Sequence, residues 1–125
     1  MADMKIGIIG AGGRMGQACI RQVTDTDGCK VVAASDVAGT DLIGRDAGEA
    51  AGAGTLGIAV TDNAAAVVAA SDAVIEFTLP GPTVDHVALT AEAGVAHIIG
   101  TTGMEAAQEA VLKAAGEKTV IMHAP

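Results

Sequence analysis

Apolar residues in this chain fall into short unbroken runs, separated by stretches with helical spacing or by glycine-rich segments. Ile6-Gly7-Ile8-Ile9, Val31-Val32-Ala33-Ala34-Ser35, Ala73-Val74-Ile75-Glu76-Phe77, Val95-Ala96-His97-Ile98-Ile99 and Thr119-Val120-Ile121-Met122 each read as a strand that is apolar on both faces. Such strands belong to a parallel sheet covered by helices on either side. Gly57-Ile58-Ala59-Val60 is a shorter and weaker candidate strand. Between the runs, three sets of residues recur at helical intervals: Met15, Cys19 and Val23; Val84, Val87, Ala88 and Ala91; Ala107, Ala110, Val111 and Ala114. The order is β-α-β followed by repeated α-β units, which predicts an α/β fold of three layers, α/β/α, around a doubly wound parallel sheet. Right-handed crossovers then place the carboxyl ends of the strands on one edge, where ligands bind at the point of strand-order reversal. Residues 38 to 57 are rich in glycine and lack a long apolar stripe, so they read as a mobile excursion carrying one short helix.

The first strand runs directly into Gly10-Ala11-Gly12-Gly13-Arg14-Met15-Gly16 and then into the first helix. Glycines let the backbone turn sharply and let a diphosphate come within hydrogen-bonding distance, while the free N–H groups and positive end of the helix face the anion. Gly10, Gly12 and Gly16, or equally Gly10, Gly13 and Gly16, form a variant of the dinucleotide fingerprint rather than its strict form. The second strand ends at Asp36, about 20 positions beyond Gly16, where such folds place the acid that accepts from the adenosine ribose hydroxyls. Together these features predict a single Rossmann-type dinucleotide-binding domain over residues 1–125. The same glycines also suit close helix-to-strand packing without any ligand.

Composition narrows the partners. Fifteen acidic against seven basic residues give a formal net charge of −8, which repels nucleic acid and anionic membrane. One Phe, no Tyr and no Trp leave almost nothing on which bases could stack. No apolar run reaches the roughly 20 residues that cross a bilayer, and residues 1 to 12 carry neither a basic start nor a cleavage site, so a cytoplasmic protein is expected. Cys19 and Cys29 lack a C-x-x-C spacing and read as reduced thiols, Cys19 on the packed stripe of the first helix. Three scattered histidines predict no metal site.

Several single residues invite a role. Arg14 stands beside the glycine turn, where it offsets phosphate charge or reaches a 2′-phosphate, or simply begins a helix in solvent. Asp36 accepts well from a ribose diol and repels a 2′-phosphate, and Val37-Ala38 supplies no compensating cation, so NADH is expected over NADPH; Arg14 and Arg45 are the residues able to upset that preference. Thr101 and Thr102 offer hydroxyls and N–H groups at a strand end, suited to a ribose or a carboxylate, or to capping the next helix. Glu76 interrupts an apolar strand and is expected to accept backbone hydrogen bonds rather than to act as a catalytic acid. His123 is expected not to be a proton donor, His86 to lie on the exposed side of its helix, and His97 to be structural.

Gly10-Ala11-Gly12-Gly13-Arg14-Met15-Gly16, Phe77-Thr78-Leu79-Pro80, Gly100-Thr101-Thr102-Gly103 and Ala124-Pro125, together with Leu42-Ile43-Gly44-Arg45-Asp46-Ala47-Gly48-Glu49, occur in that order along the chain. With these motifs, essentially all 125 residues resemble the amino-terminal half of the 4-hydroxy-tetrahydrodipicolinate (dihydrodipicolinate) reductase family. The resemblance implies hydride transfer from NADH or NADPH to an unsaturated cyclic dicarboxylate on the route to diaminopimelate and lysine. It implies that Gly10 to Met15 enclose the pyrophosphate, that Asp36 holds the adenosine ribose, and that Phe77 and Thr78 belong to the cofactor site. Gly100, Thr101 and Thr102 would meet the nicotinamide ribose, and Ala124 and Pro125 would begin a segment lining the nicotinamide pocket. Leu79 departs from the basic or polar residue frequent in relatives. The family's substrate-binding and general-acid residues, and most contacts of its homotetramer, belong to a second domain that would start beyond Pro125, so no catalytic residue is carried onto these positions. On that reading the 125 residues bind cofactor with little or no turnover. A stand-alone nucleotide-binding or sensing module is the alternative, and the cofactor domain of a homoserine or aspartate dehydrogenase a weaker one.

Overall fold

Strand β1 (Met4–Ile9) shows how the sheet is covered, because its successive side chains enter different cores. Ile6 and Ile8 pack with Ile20 and Val23 of helix α1 (Arg14–Thr24) and with Ala47 and Ala51 of helix α2 (Ala47–Ala51). On the other face Ile9 packs with Val67 and Val68 of helix α3 (Ala64–Ala70). There a Cβ at Gly7 would come within 2.6 Å of Val67 Cγ1, so the absence of a side chain lets α3 lie directly on the strand. The computed structural model describes residues 2–124, and the remaining elements are β2 (Cys29–Ser35), β3 (Ala73–Glu76), α4 (Pro80–Ala93), β4 (Ala96–Ile99), α5 (Ala106–Ala115) and β5 (Ile121–His123).

All pairings are parallel and the sheet order is β2-β1-β3-β4-β5. The chain leaves β1 outward to β2 and returns past it to β3, so the order reverses between β1 and β3. This is the doubly wound α/β architecture expected from the apolar runs. None of the described helices is long and apolar enough to cross a membrane.

The rotation of the helices differs from the expected stripes. Helix α1 buries Gly16, Ile20 and Val23 and leaves Met15 half exposed. Helix α5 buries Leu112 and Ala115, whereas Ala107, Ala110, Val111 and Ala114 face outward. Alanines carry too little apolar area to fix a helix's rotation, and the larger Leu112 decides it by packing with Val87 and Ile99. Helix α4 buries Thr83, Val87 and Thr90, two of them polar. Helix α3 carries no polar face and escapes a periodicity reading; its start is marked by Asn63, whose side chain accepts from the Ala66 N–H at 3.1 Å.

The glycine-rich excursion is tied down rather than loose. The Asp46 carboxylate caps α2 by accepting from Glu49 N–H at 2.9 Å, and also accepts from Leu56, Gly57 and Ile58 at 3.0, 2.7 and 3.0 Å. Hydrogen bonds from Leu56 and Glu49, then from Ile58 and Gly57, hold its carboxyl at about 2 against a smaller opposing effect of burial. Gly57–Val60 forms no strand; an isolated antiparallel bridge between Asp46 and Ala59 and a parallel one between Ser35 and Thr61 replace it.

Candidate functional site

The glycine turn occupies the carboxyl end of β1. Gly10 adopts φ +93°, and its N–H and that of Ala11 both donate to Ser35 O at 3.0 Å, fastening the turn to the end of β2. Added Cβ atoms distinguish the glycines. At Gly10 a Cβ would meet the Phe77 carbonyl, at Gly16 the Gly10 carbonyl, and at Gly12 the Asp36 carboxylate at 2.5 Å, whereas at Gly13 nothing lies closer than 3.7 Å. The steric duties therefore fall on Gly10, Gly12 and Gly16. Among the described residues no acceptor meets the N–H groups of Arg14, Met15 and Gly16, and the first turn of α1 holds no acidic side chain. Unpaired amides and the positive helix end make this a cradle for an anion. Arg14 is exposed at its rim, and Ala11 is buried beneath it.

Asp36, just past β2, is fixed by the same turn. Its Oδ2 accepts from Gly12 N–H at 2.6 Å and its Oδ1 from Val37 N–H at 2.7 Å. Both oxygens keep further acceptor capacity. Gly10, Gly13, Asp36, Phe77 and Thr78 line one cavity of about 340 Å³ at the strand-order reversal, together with Val37, Ala38, Asp62, Ala64, Leu79, Pro82 and His86.

The loops after β3 and β4 are held by a buried polar cluster that the sequence reading missed. Glu76 is fully buried and accepts no backbone hydrogen bond, contrary to the expected role. Its Oε2 is bound by the hydroxyls of Thr78 and Thr83 and by His86 Nδ1 at 2.7 Å; its Oε1 is bound by His97 Nε2 at 2.9 Å. The reason is position: at the last residue of β3 the two flanking elements, α4 and β4, present side-chain donors while the local amides are used in the sheet. Burial pushes the Glu76 carboxyl up, but hydrogen bonds from His86, His97 and Thr78 and the charge of His86 outweigh it and leave the carboxyl at about 2. His86 is thus largely buried instead of lying on the exposed side of α4, because its ring turns inward to this carboxylate. His97 is a structural residue, its second nitrogen 2.9 Å from Thr90 Oγ1. A glutamate inside an apolar strand followed ten residues later by a histidine is the signal that could have revealed the cluster.

Thr101 extends it. Its buried hydroxyl lies 2.8 Å from Thr83 Oγ1 and accepts from Thr78 N–H at 3.2 Å, so it bridges the loops after β3 and β4. Thr102 is exposed beside it, and Gly100 leaves room for the Phe77 ring, which an added Cβ would strike. His123 Nε2 is 2.9 Å from Thr101 O, and Ala124 N–H donates to Ile99 O at 2.9 Å. Gly100, Thr101, Thr102 and Ala124 share the ligand edge with the cavity but do not line it. Pro125 lies outside the described residues. Cys19 is partly buried against the core of the α1 face, and burial pushes its thiol up.

Known proteins place this geometry in a family. The pattern described as "Dihydrodipicolinate reductase, N-terminus" matches residues 4–125. A 4-hydroxy-tetrahydrodipicolinate reductase of Ruegeria pomeroyi is 50% identical over 117 residues, 94% of this chain and 44% of that protein. One from Halorhodospira halophila is 49% identical over 122 residues, 98% of this chain and 46% of that protein. The chain therefore spans less than half the length of these relatives. The solved structure of a dipicolinate-bound dihydrodipicolinate reductase from Paenisporosarcina sp. TG-14 shares the fold, with a TM-score of 0.75 at 21% identity over 98% of this chain and 47% of that one. On the family pattern and these identities, the chain belongs to the dihydrodipicolinate reductase family and corresponds to its amino-terminal domain.

Proposed function

We propose that this chain binds NADH, in preference to NADPH, as the cofactor domain of a 4-hydroxy-tetrahydrodipicolinate reductase. The observation that carries the proposal is the joint fixing of Asp36 and the glycine turn, in which one carboxylate oxygen holds Gly12 N–H while the neighbouring helix amides stay free. The pyrophosphate fits the cradle over residues 10 to 16, and the adenosine ribose diol fits the remaining acceptor capacity of Asp36. No lysine or arginine lines the cavity around Asp36 among the described residues, which leaves a 2′-phosphate facing a carboxylate without a counter-charge. The nicotinamide end then runs toward Gly100, Thr101 and Thr102 on the β4 side.

When bound, the reduced nicotinamide supplies a hydride, and the whole enzyme delivers it to a ring carbon of an unsaturated cyclic dicarboxylate in diaminopimelate and lysine synthesis. The residues of this chain position the cofactor: the turn holds its phosphates, Asp36 its ribose, and the Thr101–Thr78 bridge keeps the two loops beside the nicotinamide in register. The substrate and the general acid belong to the rest of the enzyme, so these 125 residues alone bind nucleotide and turn over little. A cytoplasmic homotetramer without nucleic-acid or membrane partners completes the proposal, in keeping with the net charge of −8.

Calorimetric titration with NADH and NADPH, repeated for Asp36→Ala, tests it. NADH should bind more tightly, and the variant should lose roughly tenfold in NADH affinity, the worth of a hydrogen bond to a charged group, along with the preference. Equal affinity for the two cofactors, or an Asp36→Ala titration like the parent's, would refute the assignment.

A further inference from the structure

Thr101 is gripped from two sides. Its hydroxyl is buried between Thr83 Oγ1, 2.8 Å away, and the Thr78 N–H, which fastens the loop after β4 to the β3 side. Its carbonyl oxygen lies 2.9 Å from His123 Nε2, which ties the same loop to β5. A carbonyl oxygen only accepts, so Nε2 carries a proton and the neutral ring is the Nε2–H tautomer. His123 is placed by the sheet: it ends β5 in register with Ile99, and Ala124 N–H continues the pairing by donating to Ile99 O at 2.9 Å. Its partly buried ring borders an open groove against Leu112 and Ile121, with Glu109 and Lys113 of α5 at the rim.

The described peptide bonds are all trans, so the Thr101 C=O and the Thr102 N–H point in opposite directions within one plane. With the carbonyl turned to β5, that N–H is turned toward the side of the edge on which β3, β1 and the glycine turn lie. Thr102 is exposed, and among the described residues no acceptor meets its N–H or those of Thr101, Gly103 and Met104. An unpaired donor in a loop serves a ligand best when its direction is fixed beforehand, because ordering the loop on binding costs entropy. We infer that His123 is a positioning residue for the nicotinamide end of the cofactor: by holding Thr101 O it keeps the Thr102 N–H aimed as a donor to the nicotinamide riboside. The inference rests on the dinucleotide reading above and extends it to β5, a strand that lines no part of the cavity around Asp36. His123 acts through the peptide group and does not itself touch the nucleotide.

Calorimetric titration of this chain with NADH and with ADP reads the two ends of the site separately, since ADP has the adenosine and both phosphates but no nicotinamide riboside. His123→Ala should weaken NADH about fivefold, the net worth of one hydrogen bond, and leave ADP within about twofold. His123→Gln returns an N–H donor at similar reach and should recover most of the loss. A merely structural role would lower both affinities together, so the selective loss is the informative readout. Nitrogen-15 spectra of the parent at about pH 8, above the ordinary histidine range, should show His123 as the Nε2–H tautomer. Unchanged NADH binding in His123→Ala, parallel losses of NADH and ADP, no recovery in His123→Gln, or the Nδ1–H tautomer overturns the assignment while leaving the dinucleotide reading intact. Failure of both nucleotides to bind the parent overturns the dinucleotide reading and this assignment with it.

Discussion

The loop after β1 and the loops after β3 and β4 lie on one sheet edge but are held in opposite ways. The first is shaped by missing side chains: Gly10, Gly12 and Gly16 allow backbone and carboxylate to come closer than any Cβ permits. The others are shaped by a surplus of polar side chains, gathered on the buried Glu76 from the loop after β3, from β4 and from α4. Backbone geometry made by glycine is local and tolerates little change at a few positions. A buried polar network is long-range, and its members depend on one another.

Removing the hub should separate the two regions most sharply. Glu76→Ala leaves Thr83, His86 and His97 without their shared acceptor inside the fold, and breaking a buried charged pair on one side costs about 3–5 kcal/mol. Urea unfolding should show that loss, and a change below about 1 kcal/mol would mean the cluster reorganises freely. Acid titration probes the same hub without mutation. The Glu76 carboxyl is lowered from 4.5 to about 2, so the folded state gains above the ordinary value and loses that gain as the pH falls from about 4.5 toward 2. The depression corresponds to about 3 kcal/mol in total, at 1.36 kcal/mol per pKa unit. Asp46 is lowered in the same direction and adds to the acid limb. Thermal unfolding between pH 6 and pH 2.5 should therefore steepen on acidification, and Glu76→Gln should flatten the part owed to the hub.

Smaller effects are expected in the glycine turn, where position decides the outcome. Gly16→Ala forces a Cβ against the Gly10 carbonyl and should cost about 1–3 kcal/mol, with weaker nucleotide binding because the cradle is displaced. Gly13→Ala meets only an ordinary contact at 3.7 Å and should change stability by no more than about 0.5 kcal/mol. Denaturation curves for the pair check this, and equal losses at the two positions would show that conformational freedom rather than crowding sets the requirement.

Much of the ligand edge was legible because its signals are local. The apolar runs marked all five strands to within a few residues, and the turn at Gly10 to Gly16 and the acid at Asp36 sit where their spacing placed them. Helix rotation was less legible: in α5 the alanine row offered several equivalent stripes, and only packing of Leu112 with Val87 and Ile99 chose among them. Helix α3 was missed for a related reason, since a run of Ala and Val without a polar face has no phase. His86 reads as solvent-facing because it falls outside the apolar stripe of Val84, Val87, Ala88 and Ala91, and the pattern of one helix cannot register a carboxylate on the strand beneath.

The sequence by itself determined the succession of apolar runs along the chain, the glycine turn and the acid that follows β2, because each depends on residues close together in the chain. Tertiary structure decided which glycines bear steric load, where Glu76 finds its donors and that His86 turns inward to meet it. Those outcomes depend on the parallel pairing of β3 with β4 and on the seating of α4 against them, contacts between segments whose juxtaposition no local pattern encodes.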